Sequence, residues 1–388
     1  MDTTLQTIAA KVSEGRRLEP EEGLALLRSA DVWTIGRLAD HARRRRHGQV
    51  AYYNINRHIN YSNICALSCH FCSFYRKKEQ PGAYEYSAGQ IAELARNAAA
   101  AGATEIHIVG GLHPWLGFSY YTDMLSAIRA AAPKLHIKAF TAVEIVHLAR
   151  IDRRPNDIRG VLADLQAAGL GSLPGGGAEV FDDRVHDQAF KGKIRSDKWI
   201  EVHRAAHELG LFSNATILYG HIESLEDRIE HLCLLRDAQD EAISAGHPGR
   251  FQTVIPLPFV PDGSALGHLH GPTGLDDLKM LAVCRLMLDN FEHIKAFWIM
   301  QTLELSQLAL SFGVDDVDGT VGWYDITKVG GADTNQQVDV ATLRRVIREA
   351  GFIPIERDTL YRRVVRDGAD WDVVRYEPAT SQAMAVTA

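Results

Sequence analysis

Short runs of β-branched and aromatic residues alternate with longer segments of helical period from about residue 50 onward. The short runs predict strands at 50–59, 105–109, 136–140, 171–173, 212–218, 251–257, 293–299 and 314–317. The segments between them predict helices at 87–101, 120–132, 158–168, 197–209, 225–242, 275–290 and 303–312. Strands and helices that alternate in this way are typical of parallel sheets. Eight such units predict an α/β fold of the (β/α)8 barrel type rather than an open doubly wound sheet.

The segments on either side of the barrel have patterns of their own. Residues 18–48 predict a short helical cap. Residues 339–350 predict a helix and 352–364 a strand-rich closure, whereas 378–388 have no packing pattern and are expected to be mobile. The sequence therefore predicts three parts, which are an N-terminal helical extension (1–49), a barrel (50–330) and a C-terminal α/β extension (331–388).

Composition narrows the possible functions. With 46% hydrophobic residues in 388, the chain can bury a large core. A net charge of −7 disfavours nucleic acid as the partner, since phosphate binding needs a basic face. The basic run Arg43–Arg46 follows a helical stretch and is interpreted as a solvated helix end. Neither a signal-peptide pattern nor the ~18 consecutive apolar residues of a membrane span are found, so a soluble, cytoplasmic protein is expected.

Three of the five cysteines lie within eight residues, as Cys65-x3-Cys69-x2-Cys72. Three thiolates at this spacing can hold three irons of a cubane cluster and leave one iron open. An open iron can chelate S-adenosylmethionine (SAM) and pass an electron to its sulfonium. A zinc site completed by His58 or His70, or a reduced thiol cluster without metal, remains an alternative. Cys233 and Cys284 lie in apolar helical runs and are interpreted as core residues, so a second cluster is not predicted.

The other unusual motifs follow the predicted strands directly. They occupy 60–72, 110–114, 141–144, 174–179 and 219–223, after the first five strands in turn. Barrel enzymes build their active sites from the loops at the carboxyl ends of the strands. Because all five motifs fall at such ends, we expect them to surround one site.

Glycines in these loops are candidate ligand contacts. Gly110 and Gly111 would let backbone groups approach the amino group of SAM, although an ordinary turn would also use such a pair. Gly175, Gly176 and Gly177 offer backbone donors for a carboxylate, and Glu179 offers an acceptor for ribose hydroxyls. Gly220 ends a strand and can expose its backbone to adenine. Phe71, which precedes the third cysteine, completes the predicted cofactor-binding set.

Polar side chains at the same strand ends are candidate substrate contacts. Each could instead be a satisfied structural residue, since the chain contains 17 histidines. The predicted contacts are His58, Asn60, His113, Glu144, Asn214 and His221, together with the three glycines at 175–177.

The cysteine spacing, with Phe71 before the third cysteine, resembles the signature of the radical SAM superfamily. The runs 56–65, 74–76 and 81–84 resemble the branch that contains the menaquinone-pathway enzymes and the deazaflavin synthase subunits. Within that branch, the runs 107–114, 138–145 and 213–223 are most similar to the aminofutalosine synthases. The resemblance covers about residues 50–330. Thr216 and Leu218 depart from the superfamily's fifth-strand pattern, Gly-x-Ile-x-Gly-x-x-Glu, which weakens the assignment of adenine contacts.

The resemblance implies that Cys65, Cys69 and Cys72 hold a 4Fe-4S cluster and that SAM is a cosubstrate. Its 5′-deoxyadenosyl radical would add to the enol ether of 3-[(1-carboxyvinyl)oxy]benzoate and give 6-amino-6-deoxyfutalosine, methionine and bicarbonate in menaquinone biosynthesis. An electron donor such as flavodoxin or ferredoxin would be needed. One alternative is a related cyclase or deazaflavin-synthase-like enzyme, which abstracts hydrogen and releases 5′-deoxyadenosine. A noncatalytic zinc or iron–sulfur module is another.

Overall fold

A parallel sheet lies at the centre of the molecule. The structure is a computed structural model that describes residues 3–322, 336–368 and 370–374. The strands, in chain order, are β1 (Val50–Asn54), β2 (Asn56–Ile59), β3 (Glu105–Ile108), β4 (His136–Ala139), β5 (Ser172–Leu173), β6 (Phe212–Tyr219), β7 (Phe251–Pro258), β8 (His293–Ile294), β9 (Asp316–Gly319), β10 (Ile353–Glu356), β11 (Arg363–Asp367) and β12 (Asp370–Val374). Strands β2 to β8 form one parallel sheet in sequence order, β1 lies between β10 and β9, and β11 pairs with β12.

The closure of this sheet into a barrel depends on β9. On one side, Asp316 of β9 forms a parallel bridge with Lys295, directly after β8. On the other side β9 pairs with β1, and just beyond it the amide of His58 donates to the carbonyl of Val321 at 3.2 Å. The eight predicted strands therefore form one closed ring, and the predicted barrel fold is confirmed.

The helices of the described residues surround this ring. In chain order they are α1 (Thr3–Glu14), α2 (Pro20–Arg28), α3 (Val32–His47), α4 (Ala88–Ala100), α5 (Phe118–Ala131), α6 (Ala142–Ile151), α7 (Ile158–Ala168), α8 (Asp183–Ala189), α9 (Ser196–Glu208), α10 (Leu225–Ser244), α11 (Gly274–Met287), α12 (Trp298–Gln301), α13 (Leu303–Ala309) and α14 (Val340–Glu349). The predicted helices correspond to members of this set, whereas α1, α6, α8 and α12 were not predicted from the sequence. The predicted helix at 303–312 ends as a 3-10 turn, Leu310–Phe312.

The first predicted strand, 50–59, is divided into β1 and β2 at Ile55. The division arises because the two halves have different neighbours. β1 lies between β9 and β10, whereas β2 pairs with β3, and Thr104 donates its amide to the carbonyl of Ile55 at 2.9 Å. The strand therefore belongs to the barrel and also carries the C-terminal segment.

The predicted strand at 293–299 was wrong beyond Ile294. Trp298–Gln301 forms α12, and the amide of Phe297 donates to the Gln301 side chain at 3.1 Å. A short apolar run does not distinguish a strand from a buried helix, because both bury every residue. The last predicted strand, 314–317, appears as β9.

The flanking segments pack on the same core as the barrel. Leu5 and Leu26 of the N-terminal helices and Phe352 before β10 are buried in one continuous hydrophobic cluster with barrel residues. The predicted helical cap at 18–48 is confirmed by α2 and α3. The predicted tail at 378–388 lies outside the described residues, and the division into three parts stays a prediction. No helix in the described part of the chain is long and apolar enough to cross a membrane.

The interpretation of Arg43–Arg46 as a solvated helix end was wrong for its first member. Arg43 is fully buried, and its guanidinium donates to the carbonyls of Val314 (3.0 Å), Gly48 (2.9 Å) and Val50. The carbonyls of Val50 and Val314 are buried and need a donor, and the three acceptors lie at the end of α3, at the start of β1 and before β9. Arg43 therefore joins the cap to the barrel.

Replacement of Arg43 with methionine should lower the free energy of unfolding by about 3 kcal/mol, because the buried carbonyls of Val50 and Val314 lose their donor and the Gly48 carbonyl loses a part-buried hydrogen bond. Urea titration followed by tryptophan fluorescence would measure this change. The matched control is Arg44→Met, since the Arg44 side chain is 41% exposed, forms an ion pair with Asp40 of its own helix and, like Arg43, lies over the Phe352 ring. That control should change stability by less than about 1 kcal/mol. Equal losses in the two variants would contradict the assignment.

Candidate active site

The carboxyl ends of the barrel strands surround a cavity of about 270 Å³. Convergence of several loops at this end is what a parallel barrel imposes. Most residues that the sequence predicts as contacts lie in its wall, namely His58, Cys65, Cys69, Phe71, Cys72, Gly110, Gly111, Glu144, Gly175, Gly176, Gly177, Glu179 and Asn214.

The three cysteines lie in the loop after β2, and hydrogen bonds hold this loop on two sides. The amide of Ala66 donates to the carbonyl of Leu112 at 2.8 Å, and the amide of Leu112 donates to the sulfur of Cys65 at 3.4 Å. Further along, the amide of His70 donates to the carbonyl of Ala189 at 2.9 Å. The loops after β3 and α8 therefore fix the position of the cysteine loop.

A buried lysine lies against the same loop. The ammonium group of Lys193 pairs with Glu179 and lies 4.9 Å from the centre of the Phe71 ring. Burial opposes the charged form, but the Glu179 carboxylate and the nearby thiols raise the pKa of Lys193. Burial raises the pKa of Cys69 to about 11, and the positive charge of Lys193 opposes this rise. Lys193 therefore favours the thiolate form that a metal requires.

This set of donors fits an iron–sulfur cluster. All three thiols are free rather than joined in disulfides, and all three line the cavity. Soft sulfur donors suit iron–sulfur clusters, and three of them leave one iron without a protein ligand. The cavity beside the cysteines gives that iron room for an exogenous ligand.

Gly110 and Gly111 bring the loop after β3 into contact with the cysteine loop. The amide of Gly111 donates to the carbonyl of Ser62 at 2.8 Å. A Cβ atom on Gly111 would lie 2.3 Å from the carbonyl oxygen of Ile64, and one on Gly110 would lie 2.6 Å from the Tyr61 ring. Both positions therefore need glycine for packing, and both also line the cavity.

Glu144 connects these two loops to α6. One carboxylate oxygen accepts hydrogen bonds from the Tyr61 hydroxyl (2.9 Å) and the Gly110 amide (3.0 Å). The other accepts from the amide (2.7 Å) and hydroxyl (2.8 Å) of Thr141, which caps α6. Burial raises the pKa of Glu144 to about 7 despite these donors. Both oxygens are engaged by the protein, so the arrangement favours a positioning role over direct substrate contact.

The glycine loop at 175–177 packs tightly between β6 and α6. A Cβ atom on Gly175 would lie 2.6 Å from the backbone of Ala215, and one on Gly177 would lie 2.4 Å from the Val143 side chain. Glu179 ends the loop in a left-handed conformation (φ +46°). This backbone is therefore held rigidly in the cavity wall, as a ligand-binding loop requires.

Two predicted histidines are not part of the cavity lining. His113 is bound through Nε2 to Glu85 at 2.8 Å, and its Nδ1 accepts two amides of its own loop. His221 is bound through Nε2 to the carbonyl of Leu218 at 3.1 Å. Both side chains stabilise loops beside the cavity, and its geometry gives no support to their assignment as substrate contacts.

Asn60 and Gly220 are also absent from the cavity lining. The side chain of Asn60 donates to the carbonyl of Val109 at 2.9 Å and so joins the ends of β2 and β3. Gly220 has φ +91°, and a Cβ atom there would lie 2.5 Å from Pro272. Packing against Pro272 therefore explains this glycine without an adenine contact.

A group of ionisable residues in the cavity wall was not predicted from the sequence. Lys193 lies beside the cysteine loop, and the others lie on or directly after barrel strands, namely Glu105, His107, Lys138, Lys295 and Asp318. A signal for some of them was present, because polar Glu105 and His107 alternate with Ile106 and Ile108 along β3. In a barrel whose outer face is covered by helices, polar residues at alternate positions point to the interior.

Comparison with protein families gives two matches. The radical SAM superfamily matches residues 59–235, which begin at the last residue of β2 and contain the three cysteines and β3 to β6. The CofH/MqnC C-terminal region matches residues 249–367. Together they cover most of the barrel and the C-terminal strands β10 and β11. The first match supports the iron–sulfur interpretation of the cysteines over the zinc alternative.

Curated relatives align over nearly the whole chain. The aminodeoxyfutalosine synthase of Thermus thermophilus is 44% identical over 94% of this chain and 96% of its own. The aminodeoxyfutalosine synthase of Streptomyces coelicolor is 40% identical over 97% of this chain and 98% of its own. The 5-amino-6-(D-ribitylamino)uracil–L-tyrosine 4-hydroxyphenyl transferase of Methanopyrus kandleri is 34% identical over 92% of this chain and 95% of its own. Among solved structures, methylornithine synthase has a TM-score of 0.68 at 20% identity, covers 89% of this chain and 97% of its own, and supports the fold.

Replacement of Cys69 with serine should prevent assembly of the cluster, because only two thiolates would remain in the loop. Iron and sulfide assays after anaerobic reconstitution should fall from about four of each per chain to a small fraction of that. Cys233→Ser is the matched control, since Cys233 is a half-buried free thiol outside the cavity lining. Full iron and sulfide loading of the Cys69 variant would contradict the assignment.

Replacement of Glu144 with glutamine should raise the dissociation constant for SAM about tenfold. The side-chain amide of the new glutamine has only one acceptor oxygen. Its nitrogen would face donors on one side, either Gly110 and Tyr61 or Thr141, so at least one buried hydrogen bond would be lost. Calorimetric titration of the reconstituted protein with SAM would measure the change. Asp276→Asn is the matched control, because Asp276 occupies the same capping position on the distant helix α11. Unchanged SAM affinity in the Glu144 variant would contradict its positioning role.

Proposed function

The chain belongs to the radical SAM superfamily, and on this basis we propose that it is an aminodeoxyfutalosine synthase of menaquinone biosynthesis. The main support is the identity of 44% and 40% to two such synthases over almost the full length of each chain. A cavity lined by three free cysteines and several glycine loops is consistent with this activity.

The proposed reaction consumes SAM as a substrate. Its 5′-deoxyadenosyl group adds to the enol ether double bond of 3-[(1-carboxyvinyl)oxy]benzoate. The aryl group then migrates from the ether oxygen to the neighbouring radical carbon, and the carboxyl carbon is lost and hydrated by water to bicarbonate. The electron is returned in that loss, so that 6-amino-6-deoxyfutalosine and methionine are formed with no net reduction. Cys65, Cys69 and Cys72 would hold the 4Fe-4S cluster, which would supply the electron that cleaves the sulfonium of SAM.

The residues near the cysteines position SAM in this proposal. Gly110 and Gly111 present backbone groups to its methionine part, and Glu144 holds these glycines in place. Glu179 and Phe71 lie in the same wall of the cavity and face the rest of the SAM molecule. Lys193 fixes the orientation of Glu179 through their ion pair. The rigid glycine loop at 175–177 offers amides to a substrate carboxylate.

The opposite wall of the cavity suits an aromatic ring. This wall is apolar. Ile255 and Leu257 belong to β7 and Phe259 follows it, whereas Phe297 precedes α12 and Met300 lies in α12. An apolar, water-poor pocket excludes solvent from reactive radicals, which would otherwise be quenched. The wall thus performs two tasks, since it binds the aryl group and keeps the reaction dry.

An electron donor such as flavodoxin or ferredoxin has access to the cysteine loop from its outer side. Cys69 and Cys72 also line a second, more open cavity of about 350 Å³ together with Arg76 and Gly263. A short path from the surface to these sulfurs suits electron transfer from a separate protein. We also propose a cytoplasmic location, because the cysteines must stay reduced to bind iron.

A second candidate function is the transfer of the 4-hydroxyphenyl group of tyrosine to an aminouracil. It is favoured by the 34% identity to the transferase of Methanopyrus kandleri over 92% of this chain. In that alternative the 5′-deoxyadenosyl radical abstracts hydrogen and is released as 5′-deoxyadenosine. The higher identity to the synthases makes this the weaker candidate.

The fate of the adenosine carbons tests the proposal. Anaerobically reconstituted protein with reductant, SAM and 3-[(1-carboxyvinyl)oxy]benzoate should yield 6-amino-6-deoxyfutalosine and bicarbonate, because the radical is consumed by addition. Mass spectrometry with adenosine-labelled SAM would identify the product. The Cys69→Ser variant, which lacks the cluster, should give neither product nor methionine.

Two outcomes would contradict the synthase assignment. Release of labelled 5′-deoxyadenosine alone would show that the radical abstracts hydrogen rather than adds. Turnover of tyrosine with 5-amino-6-(D-ribitylamino)uracil, and not of the benzoate, would establish the transferase instead.

A further inference from the structure

Two buried ion pairs lie at the base of the cavity, away from the cysteine loop. The ammonium group of Lys138 on β4 contacts Glu105 on β3 at 2.6 Å. The ammonium group of Lys295, directly after β8, contacts Asp318 on β9 at 3.0 Å. All four side chains are at most 5% exposed, and all four line the cavity. Charged side chains are almost never buried so deeply unless they are paired, as these four are.

Both lysines retain donors that can face a ligand. A lysine ammonium has three N–H donors, and each of these lysines donates to one carboxylate among the described residues. Beside them, Nε2 of His107 is buried without a hydrogen-bond partner in the described part of the chain. His107 also lines the cavity and is level with Lys138 in the register of β3 and β4. A buried donor without a partner is costly, so this arrangement suits an anionic ligand.

The two ion pairs prepare the site for such a ligand. Burial lowers the pKa of Lys138, and the adjacent Glu105 carboxylate opposes this effect. The Glu105 carboxylate thereby favours the charged form of Lys138, and the two ion pairs fix the orientation of both ammonium groups. Burial also lowers the pKa of His107, which therefore stays neutral and can donate one N–H. The result is a preformed group of cationic and neutral donors.

The distance from this group of donors to the SAM-binding loops at the mouth of the cavity matches the length of the aryl substrate. His107 precedes Gly110 by three residues, which corresponds to about 10 Å along an extended strand. The intervening wall is apolar, with Val109, Leu257 and Phe297 in the lining. A benzene ring therefore fits between the SAM-binding loops at the mouth and the charged group at the base.

We propose that Lys138, Lys295 and His107 bind the ring carboxylate of the aryl substrate, an inference that rests on the proposed synthase function. The enol ether carbon must reach SAM at the mouth of the cavity. The second carboxylate is attached to the enol ether and stays near the mouth, whereas the ring carboxylate points away from the reacting carbon. The base of the cavity is thus the position that the ring carboxylate occupies.

The test compares two ligands in reconstituted protein with SAM and without reductant. One is 3-[(1-carboxyvinyl)oxy]benzoate, and the other is 2-phenoxyacrylate, which lacks only the ring carboxylate. Calorimetric titration should give a dissociation constant about tenfold to hundredfold larger for the second ligand, as charge-assisted hydrogen bonds would be lost. Equal affinities in the unmodified protein would overturn the inference without any variant.

Paired variants then identify the residues. Lys138→Met with Glu105→Gln, and Lys295→Met with Asp318→Asn, each remove an ion pair without leaving an unpaired charge. In both, the ratio of the two dissociation constants should fall towards one. An unchanged ratio in variants that still bind SAM would overturn the assignment.

Two further variants complete the test. Arg366→Met with Glu356→Gln is the matched control, because this ion pair (2.9 Å between Nε and Oε1), in which Glu356 is buried, is not part of the cavity lining. It should keep the ratio of the unmodified protein. If the paired variants do not fold, His107→Phe removes a single donor and should lower the ratio about threefold to tenfold; no change would overturn the role of His107.

The outcomes separate this inference from the proposed function. If the unmodified protein forms product but the variants do not change the ratio of the two dissociation constants, only the proposed carboxylate site at the base of the cavity is contradicted. Absence of 6-amino-6-deoxyfutalosine from the unmodified protein removes the synthase function itself.

Discussion

The closure of the barrel depends on pairing the carboxylates of one strand with cations from other parts of the chain. Asp315, Asp316 and Asp318 lie at or beside β9 and are all buried. Their cations come from α11 (Arg285), the segment after β10 (Arg357) and the end of β8 (Lys295). A buried carboxylate without a cation is strongly destabilising, so β9 can enter the ring only when these elements are in place.

Ring closure has a direct chemical consequence, because it fixes the loops at the strand ends relative to one another. The cysteine loop contacts the loop after β3 through Leu112 and Gly111, and Glu144 connects that loop to α6. Lys193 adds a positive charge beside the sulfurs. Contacts within the protein therefore hold the site in shape before any ligand arrives, which lowers the entropic cost of binding.

Much of the fold was predictable from local pattern, and the failures have physical reasons. Repeated alternation of strands and helices indicated the barrel, but α12 was assigned as strand because a short apolar run has no period that distinguishes the two. Arg43 was assigned to solvent because a basic run usually extends a helix into water. Its guanidinium joins the nearby carbonyls of Gly48 and Val50 to the carbonyl of Val314, 271 residues away, and local sequence carries no record of that distant partner.

The sequence by itself indicated the cluster site and the family, because Cys65, Cys69 and Cys72 lie in one loop and three thiolates at this spacing can hold three irons of a cubane cluster. Only the tertiary structure decided which other side chains share their cavity. Glu105 and Lys138 meet across two strands, and Lys295 meets Asp318 of the closing strand. His113 is held outside the cavity by its bond to Glu85, and His221 by its bond to the carbonyl of Leu218. Contacts between residues far apart in the chain depend on strand register and ring closure, which no local motif encodes.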